Sequence, residues 1–544
     1  MKVKLFVPIL ILTSVLMSCK QRQKVDLIIT NGNIYTVDSS FSVVQSIAVS
    51  DGIILATGSN DDILSAYKSE KVIDLDGKFV YPGFIDAHCH FLGYGLNLTH
   101  AWLGNAQSWD EVVERLKSHY EANPTEWVQG RGWNQNEWSV KEFPTNDLLN
   151  KVFPDTPVFI VRIDGHAAIA NEKALKIAGI TSQTVVDGGE VLTKDGKPTG
   201  VLVDNAMELV RKHIPKPDMK EKTLALINAQ KNCFAVGLTG VHDAGLDADE
   251  VELIDSLQKE GKLKMRINAM LNPTIENYEK FISKGVCKTD FLTIRSVKIY
   301  ADGALGSRGA LLLEPYSDDS GNKGIQVVET EKLDSVCAMA YKHGYQVCTH
   351  CIGDAAVRLM LDIYSKYLPK GNDLRWRIEH SQIVNPEDLP RYGEYCVVPS
   401  IQTTHATSDM FWAVNRLGSR IKYAYAYHDL LEQNGWLPNG SDFPIEDINP
   451  LYGFYAGVAR KNLKGEPTEG FQMENALSRE EALRAMTFWA AKSCFEENKK
   501  GSIEPGKFAD FVILDVDLLN CAINEVVNAK VVKTIINGEV VYEN

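Results

Sequence analysis

The segment Asp86-Ala87-His88-Cys89-His90 sets two histidines two residues apart. Side chains alternate along an extended strand, so His88 and His90 share a face and can hold one ion together. Lys298, His350, His380 and Asp442 extend the theme, each within or at the end of an apolar run. Imidazole nitrogens joined by a carboxylate oxygen suit zinc or a similar divalent ion. Thiolates at ligand spacing are lacking: Cys348 and Cys351 flank His350 as Cys-x-x-Cys, but no second pair completes a site. That argues against a closed structural site.

Such residues act together only if the fold gathers them. Eight apolar runs follow Pro82, at 83–90, 238–243, 264–271, 294–300, 345–350, 375–380, 395–402 and 436–442, most of them followed by a helical pattern. This is the alternation of a parallel α/β sheet. Eight strands over roughly 400 residues fit a (β/α)8 TIM barrel with one large insertion, at about residues 100–230, after the first strand. The runs carrying His88 and His90, His350, His380 and Asp442 would then converge on one mouth, with Lys298 facing the same interior. An open doubly wound sheet is the competing architecture. It finds no GxGxxG or P-loop here, since Gly303-Ala304-Leu305-Gly306-Ser307-Arg308-Gly309 has an arginine where a P-loop needs lysine.

Short alternating runs separated by Asn-Gly and Asp-Gly turns fill residues 25–81, and the same texture returns at 501–544. Both termini are therefore expected to build one small composite β-sandwich around the barrel at 82–500. The 544 residues are 44% hydrophobic and 24% charged, which is globular composition and excludes disorder and coiled coil. Lys and Arg number 57 against 71 Asp and Glu, and no basic run breaks the net charge of −14, so no nucleic-acid footprint exists. A small-molecule partner is expected, and homodimerisation is compatible with the sequence. Cysteines number ten, most of them in apolar runs without paired spacing, as core residues are.

Lys2 and Lys4 precede an apolar stretch at 5–17, followed by Ser18 and Cys19. Residues 1–18 read as a signal peptide. Leu16-Met17-Ser18-Cys19 resembles a lipobox, with cleavage before Cys19, lipidation of its thiol and a short linker at 19–24; ordinary secretory cleavage nearby is the alternative. Removal of residues 1–18 takes two lysines and no acids, giving 55 − 71 = −16. The expected location is the cell envelope, on the outer membrane facing the periplasm, with the lipid as the only membrane contact.

Tyr81-Pro82-Gly83-Phe84-Ile85-Asp86-Ala87-His88-Cys89-His90 resembles the signature of the amidohydrolase superfamily, and further segments resemble its family 3, which includes N-substituted formamide deformylases. These are Asp164-Gly165-His166, Gly237 to Asp243, Val297-Lys298, Asp302 to Arg308, Thr349-His350 with Gly353 to Ala356, Arg377-Ile378-Glu379-His380, Gly440-Ser441-Asp442-Phe443-Pro444 and Gly501 to Asp510. The resemblance implies a metal-dependent barrel in which His88, His90, His350, His380 and Asp442 bind one or two divalent ions. Lys298 would be carboxylated and bridge the ions if there are two. An ammonium would repel a dication, whereas a carbamate offers anionic oxygen. The ion would activate water as hydroxide and polarise a carbonyl, and Asp442 would move the proton from that water to the leaving amine, cutting an amide, formamide or N-acyl C–N bond.

Other residues near the expected mouth have more than one use. His166 could donate to a substrate carbonyl or make a structural hydrogen bond. Asp302 and Arg308 follow the fourth run, where Arg308 could grip a substrate carboxylate or fix a loop. His242 and Asp243 could support ligands from behind. Trp133, with Trp127 and Trp138, belongs to a substrate-facing lid or to the insertion core. The same ligand set would serve a cyclic-amide hydrolase, a deaminase or an isomerase, because substrate choice lies in loops. A catalytically inactive ligand-binding surface lipoprotein is the non-enzymatic alternative.

Overall fold

The computed structural model describes residues 21–122 and 124–544. The leader and Cys19 lie outside the described residues, among which no helix is long and apolar enough to cross a membrane. Seven parallel strands form the centre: β1 (Phe84–Cys89), β2 (Leu238–Leu246), β3 (Arg266–Leu271), β4 (Leu292–Tyr300), β5 (Gln346–Cys351), β6 (Arg377–His380) and β7 (Val398–Ser400), hydrogen-bonded in that order. β1, β3, β5, β6 and β7 are buried throughout, as parallel strands covered by helices must be. The covering helices are amphipathic: Asp354–Tyr364 buries Ala356, Val357, Met360 and Leu361 on one stripe.

The eighth expected run closes the barrel without becoming a regular strand. Ile401 and Asn439 form a single parallel bridge. Ala87 N–H donates to Asn439 O at 3.2 Å and Asp442 N–H to His88 O at 2.7 Å, so residues 438–442 fill the gap between β7 and β1. Pro438 lacks a donor, and Asp442 has φ 59, so the chain bends away before a ladder can form. Gly440 is required at the seam, because a Cβ there would meet His88 N at 2.4 Å. The Asp86 carboxylate ties the seam down, accepting Ser441 N–H at 3.1 Å, Ser441 Oγ–H at 2.6 Å and His88 N–H at 3.0 Å.

The insertion after β1 carries a six-stranded sheet running from Ala101–Trp102 to Gly189–Lys194. Trp133 is wholly buried in its core beside Trp138 and Phe143, with Nε1–H donated to Ile160 O at 3.1 Å. The expectation of a substrate-facing Trp133 is corrected: so large an apolar ring is held inside the insertion's own core and away from the cavity. The termini form two larger sheets, beside a short parallel pair of Gln23–Lys24 with Tyr67–Lys68. Leu27–Thr30, Ser46–Ser50, Ile53–Gly58 and Val72–Asp74 make one, and in the other Phe79–Pro82 pairs antiparallel with Phe511–Leu514. Ile29, Ile47, Val80, Phe511 and Ile535 pack between them. Arg266 of β3 joins barrel to terminal layer through Asp510, at 2.5 and 2.8 Å.

Candidate metal centre and cavity

All six residues named for metal binding stand in one cluster at the C-terminal ends of the strands and the closing segment. One ligand atom each from His88, His380 and Asp442 lies within 4.8 Å of the others. His90 Nε2 is 3.3 Å from Asp442 Oδ1, Lys298 Nζ is 2.9 Å from His88 Nε2, and the His350 and His380 rings are 4.6 Å apart.

Hydrogen bonds fix how three of the rings face. His88 donates Nδ1–H to Glu379 Oε2 at 2.5 Å, His90 donates Nδ1–H to Ala244 O at 3.0 Å, and His380 donates Nδ1–H to Gln402 Oε1 at 2.7 Å. Each partner atom only accepts, so each Nε2 presents a lone pair. The Nε2 atoms of His88 and His90 meet Asp442 Oδ1 at 3.5 and 3.3 Å, and that buried oxygen makes no aligned hydrogen bond. Lone pairs facing one another at this range repel unless a cation stands among them, so the donor set fits a divalent ion. Burial pushes the His88 imidazole down to about 4, helped by the Lys298 charge, and burial likewise holds His350 and His380 well below the usual range.

Two ligands owe their aim to left-handed backbone, His380 at φ 72 and Asp442 at φ 59. Neither is glycine, and strain of this kind persists where surrounding structure enforces it. On β6, alternation would point Glu379 and His380 to opposite faces. The reversed φ at His380 lets both reach His88, Glu379 by hydrogen bond and His380 with ring centroids 5.0 Å apart. Behind them lies Arg377, fully buried, giving NH2 to Glu379 Oε2 at 2.9 Å, Ala87 O at 2.6 Å and Ser400 Oγ at 2.7 Å, with its Nε 2.7 Å from Glu379 Oε1 as an ion pair. His242 Nδ1 lies 3.0 Å from the same guanidinium, and Asp243 accepts the backbone N–H groups of Phe91 and Leu92. Both are supports behind the ligands.

A cavity of about 650 Å³ opens above the cluster, with His350, His380 and Asp442 in its lining. His166 reaches it from the insertion, with Nδ1 2.8 Å from Asp204 and its ring 5.9 Å from that of His350. Asp302 and Arg308 do not reach it. The Asp302 carboxylate accepts the N–H groups of Leu311, Ile352 and Gly353 at 2.9, 3.0 and 2.8 Å, so it is a backbone clamp beneath His350. Arg308 turns outward to Asp318, at 3.3 and 3.1 Å, which corrects its placement as a carboxylate grip: its fork is occupied by a loop partner. Residues not singled out from sequence complete the site, namely Asp86, Glu379, Gln402, His405, Asp409 and Glu446. Only Asp86 and Glu379 carried a signal, one inside the His-x-His segment and the other adjacent to His380.

The amidohydrolase family profile matches residues 71–542. Protein LONG AFTER FAR-RED 3 of Arabidopsis thaliana is 35% identical over 537 residues, 95% of this chain and 91% of that protein. The N-substituted formamide deformylase of Arthrobacter pascens is 26% identical over 548 residues, 95% of this chain and 98% of that enzyme. The crystal structure of an uncharacterized metal-dependent hydrolase from Pyrococcus horikoshii OT3 superposes with a TM-score of 0.75 at 30% identity, covering 91% of this chain and 99% of that one. The histidine and aspartate cluster at the mouth of a parallel barrel and a family match spanning nearly the whole chain agree, and the protein belongs to the amidohydrolase family.

Proposed function

We propose that this amidohydrolase cleaves an amide-type C–N bond in a formamide or other N-acyl compound. The observation that carries this is the buried Asp442 Oδ1, left without an aligned hydrogen bond while the lone pairs of His88 and His90 face it. His88, His90, His350, His380 and Asp442 would hold the metal, zinc by the chemistry of the donors, and Lys298 would join them as a carbamate where two ions bind. The bound ion would supply Lewis-acid polarisation of the substrate carbonyl and a water of lowered pKa. Asp442 accepts the proton of the attacking water and returns it to the leaving nitrogen. His166, held by Asp204, orients the acyl group from the insertion side. Full-length similarity to a formamide deformylase supports the choice of bond.

The test is elemental analysis of protein purified without chelator, together with amine release from N-formyl and N-acetyl hexylamine. Stoichiometric metal and turnover that falls about 10²–10⁴-fold in Asp442→Asn are expected. Metal-free protein that turns over neither compound overturns the reading. The lipobox-like segment supports a lipid tether in the cell envelope, which predicts labelled palmitate on wild type and none on Cys19→Ala.

A further inference from the structure

The charges lining the cavity do not balance. Its cationic groups already have partners: Arg162 gives NH1 to Asp164 at 2.6 Å, Nε to Gln135 at 2.8 Å and NH2 to Asn134 at 2.7 Å, and His166 is held by Asp204 at 2.8 Å. His100 is uncharged, since burial pushes it down to about 4. The carboxylates have no such match. Asp409 meets only the Tyr425 hydroxyl at 2.9 Å and the Gln382 amide at 3.5 Å, and Glu446 only the Ser408 hydroxyl at 2.6 Å. Glu137 and Asp447 stand nearer the rim. Among the described residues none of these four forms an ion pair. Asp409 and Glu446 are partly buried, and a carboxylate partly withdrawn from water without a cation is costly to keep ionised, a cost that a ligand supplying the cation lowers. Burial raises both Asp409 and Glu446, the latter to about 7, in line with a missing counter-charge.

A second observation is independent of the carboxylates. His405 lines the same cavity, is only 9% exposed, and its Nε2 has no hydrogen-bond partner. On the helix Thr403–Leu417 it precedes Asp409 by four residues, so the two share a helix face, and Trp412 follows three residues on. Trp412 and Tyr94 also line the cavity, and aromatic faces favour cations. Nothing in the lining offers a free guanidinium or ammonium to a carboxylate, because Arg162 is already held by Asp164, Gln135 and Asn134.

We propose that the cavity takes substrates carrying a second, protonated nitrogen besides the acylated one, an N-acylated diamine or similar amine, with Asp409 and Glu446 receiving the ammonium and His405 an adjacent N–H. This deepens the hydrolase reading and rests on it for the identity of the scissile bond.

The experiment compares three matched compounds on zinc-loaded protein: N-acetyl hexamethylenediamine (cationic), N-hexylacetamide (neutral) and N-acetyl aminocaproate (anionic). Binding is read by calorimetry and acetate release separately. The expected order is cation over neutral over anion, with at least a tenfold lower Kd for the cation than for the neutral compound. Asp409→Asn and Glu446→Gln should each shrink that ratio, with melting temperature confirming that the variants fold. The wild-type order decides the matter even if a variant does not fold. Equal binding of all three compounds, or preference for the anion, overturns the inference and leaves the hydrolase reading standing if acetate is released. Preferential binding of the cation without acetate release from any compound supports the cation site and overturns hydrolysis of N-acetyl compounds, leaving the formamide reading to the N-formyl assay.

Discussion

His88 hands its Nδ1–H to Glu379 across 2.5 Å, and neither side chain has any exposure. Glu379 is in turn held by Arg377, so one buried chain of charge sets which nitrogen of His88 faces the metal position. Burial opposes ionisation of Glu379, yet Arg377 and His88 hold it well below the usual carboxylate range. Near neutral pH it therefore faces His88 as an acceptor.

Glu379→Gln should weaken metal binding about 10- to 100-fold, because an amide can turn its N–H₂ toward Nδ1 and release the tautomer. Competition with a chelator measures this. Unchanged affinity would show that His88 is aimed by packing alone.

Lys298→Ala distinguishes one ion from two. A lysine carbamate bridging two ions predicts a fall from two metals per chain to one or fewer, and dependence of wild-type reconstitution on bicarbonate. One ion in both proteins would remove the carbamate and leave a single-metal site around Asp442.

Gly440→Ala forces a methyl group to within 2.4 Å of His88 N and 2.8 Å of His88 O, both of them backbone. No rotamer relieves such a contact, so the seam must open, and a loss of about 1–3 kcal/mol is expected. Thermal unfolding should register it together with reduced metal content, since His88 and Asp442 lie on the two sides of that seam.

Glu496, buried beneath β4, accepts Thr293 Oγ1–H at 2.6 Å and pairs with Lys500 and Lys288. Burial alone would raise its carboxyl, but the two lysines bring it down to about 2 from the ordinary 4.5. The folded state therefore binds this proton less readily than the unfolded chain, and the stabilisation is present above pH 4.5 and lost as pH falls toward 2. Glu496→Gln should cost about 3–5 kcal/mol at pH 7 by leaving Lys500 buried and unpaired. The gap in melting temperature from wild type should narrow below pH 4.5.

The barrel and its ligand cluster were legible because apolar runs mark buried parallel strands and the ligands stand at their ends, where polarity interrupts hydrophobicity. His88 and His90 needed only period-two geometry. His380 sits one residue past the inward-facing Glu379, and only its φ of 72 turns it to the site, a reversal that residue type does not encode. For the same reason Arg377 and Glu379 read as a motif without a role. Trp133 and Arg308 mark the opposite limit: aromatic and guanidinium groups serve cores and loops as readily as ligands, and only tertiary partners decide. Asp409 and Glu446 reach the cavity from segments whose relation to the strands is purely spatial.

The pairing of Phe79–Pro82 with Phe511–Leu514 also orders events in time. Synthesis runs from the N-terminus, so the strand that leads directly into β1 emerges early, and its partner is among the last segments to leave the ribosome. Until then Phe79–Pro82 presents an unpaired edge on its C-terminal-partner side, and the entry to β1, with His88 and His90 a few residues beyond, is not yet anchored. A nascent chain that has already made residues 88–442 thus still lacks one anchor on the segment that enters β1. The last strand-to-strand anchor of the segment entering β1 is therefore added only when translation is nearly complete.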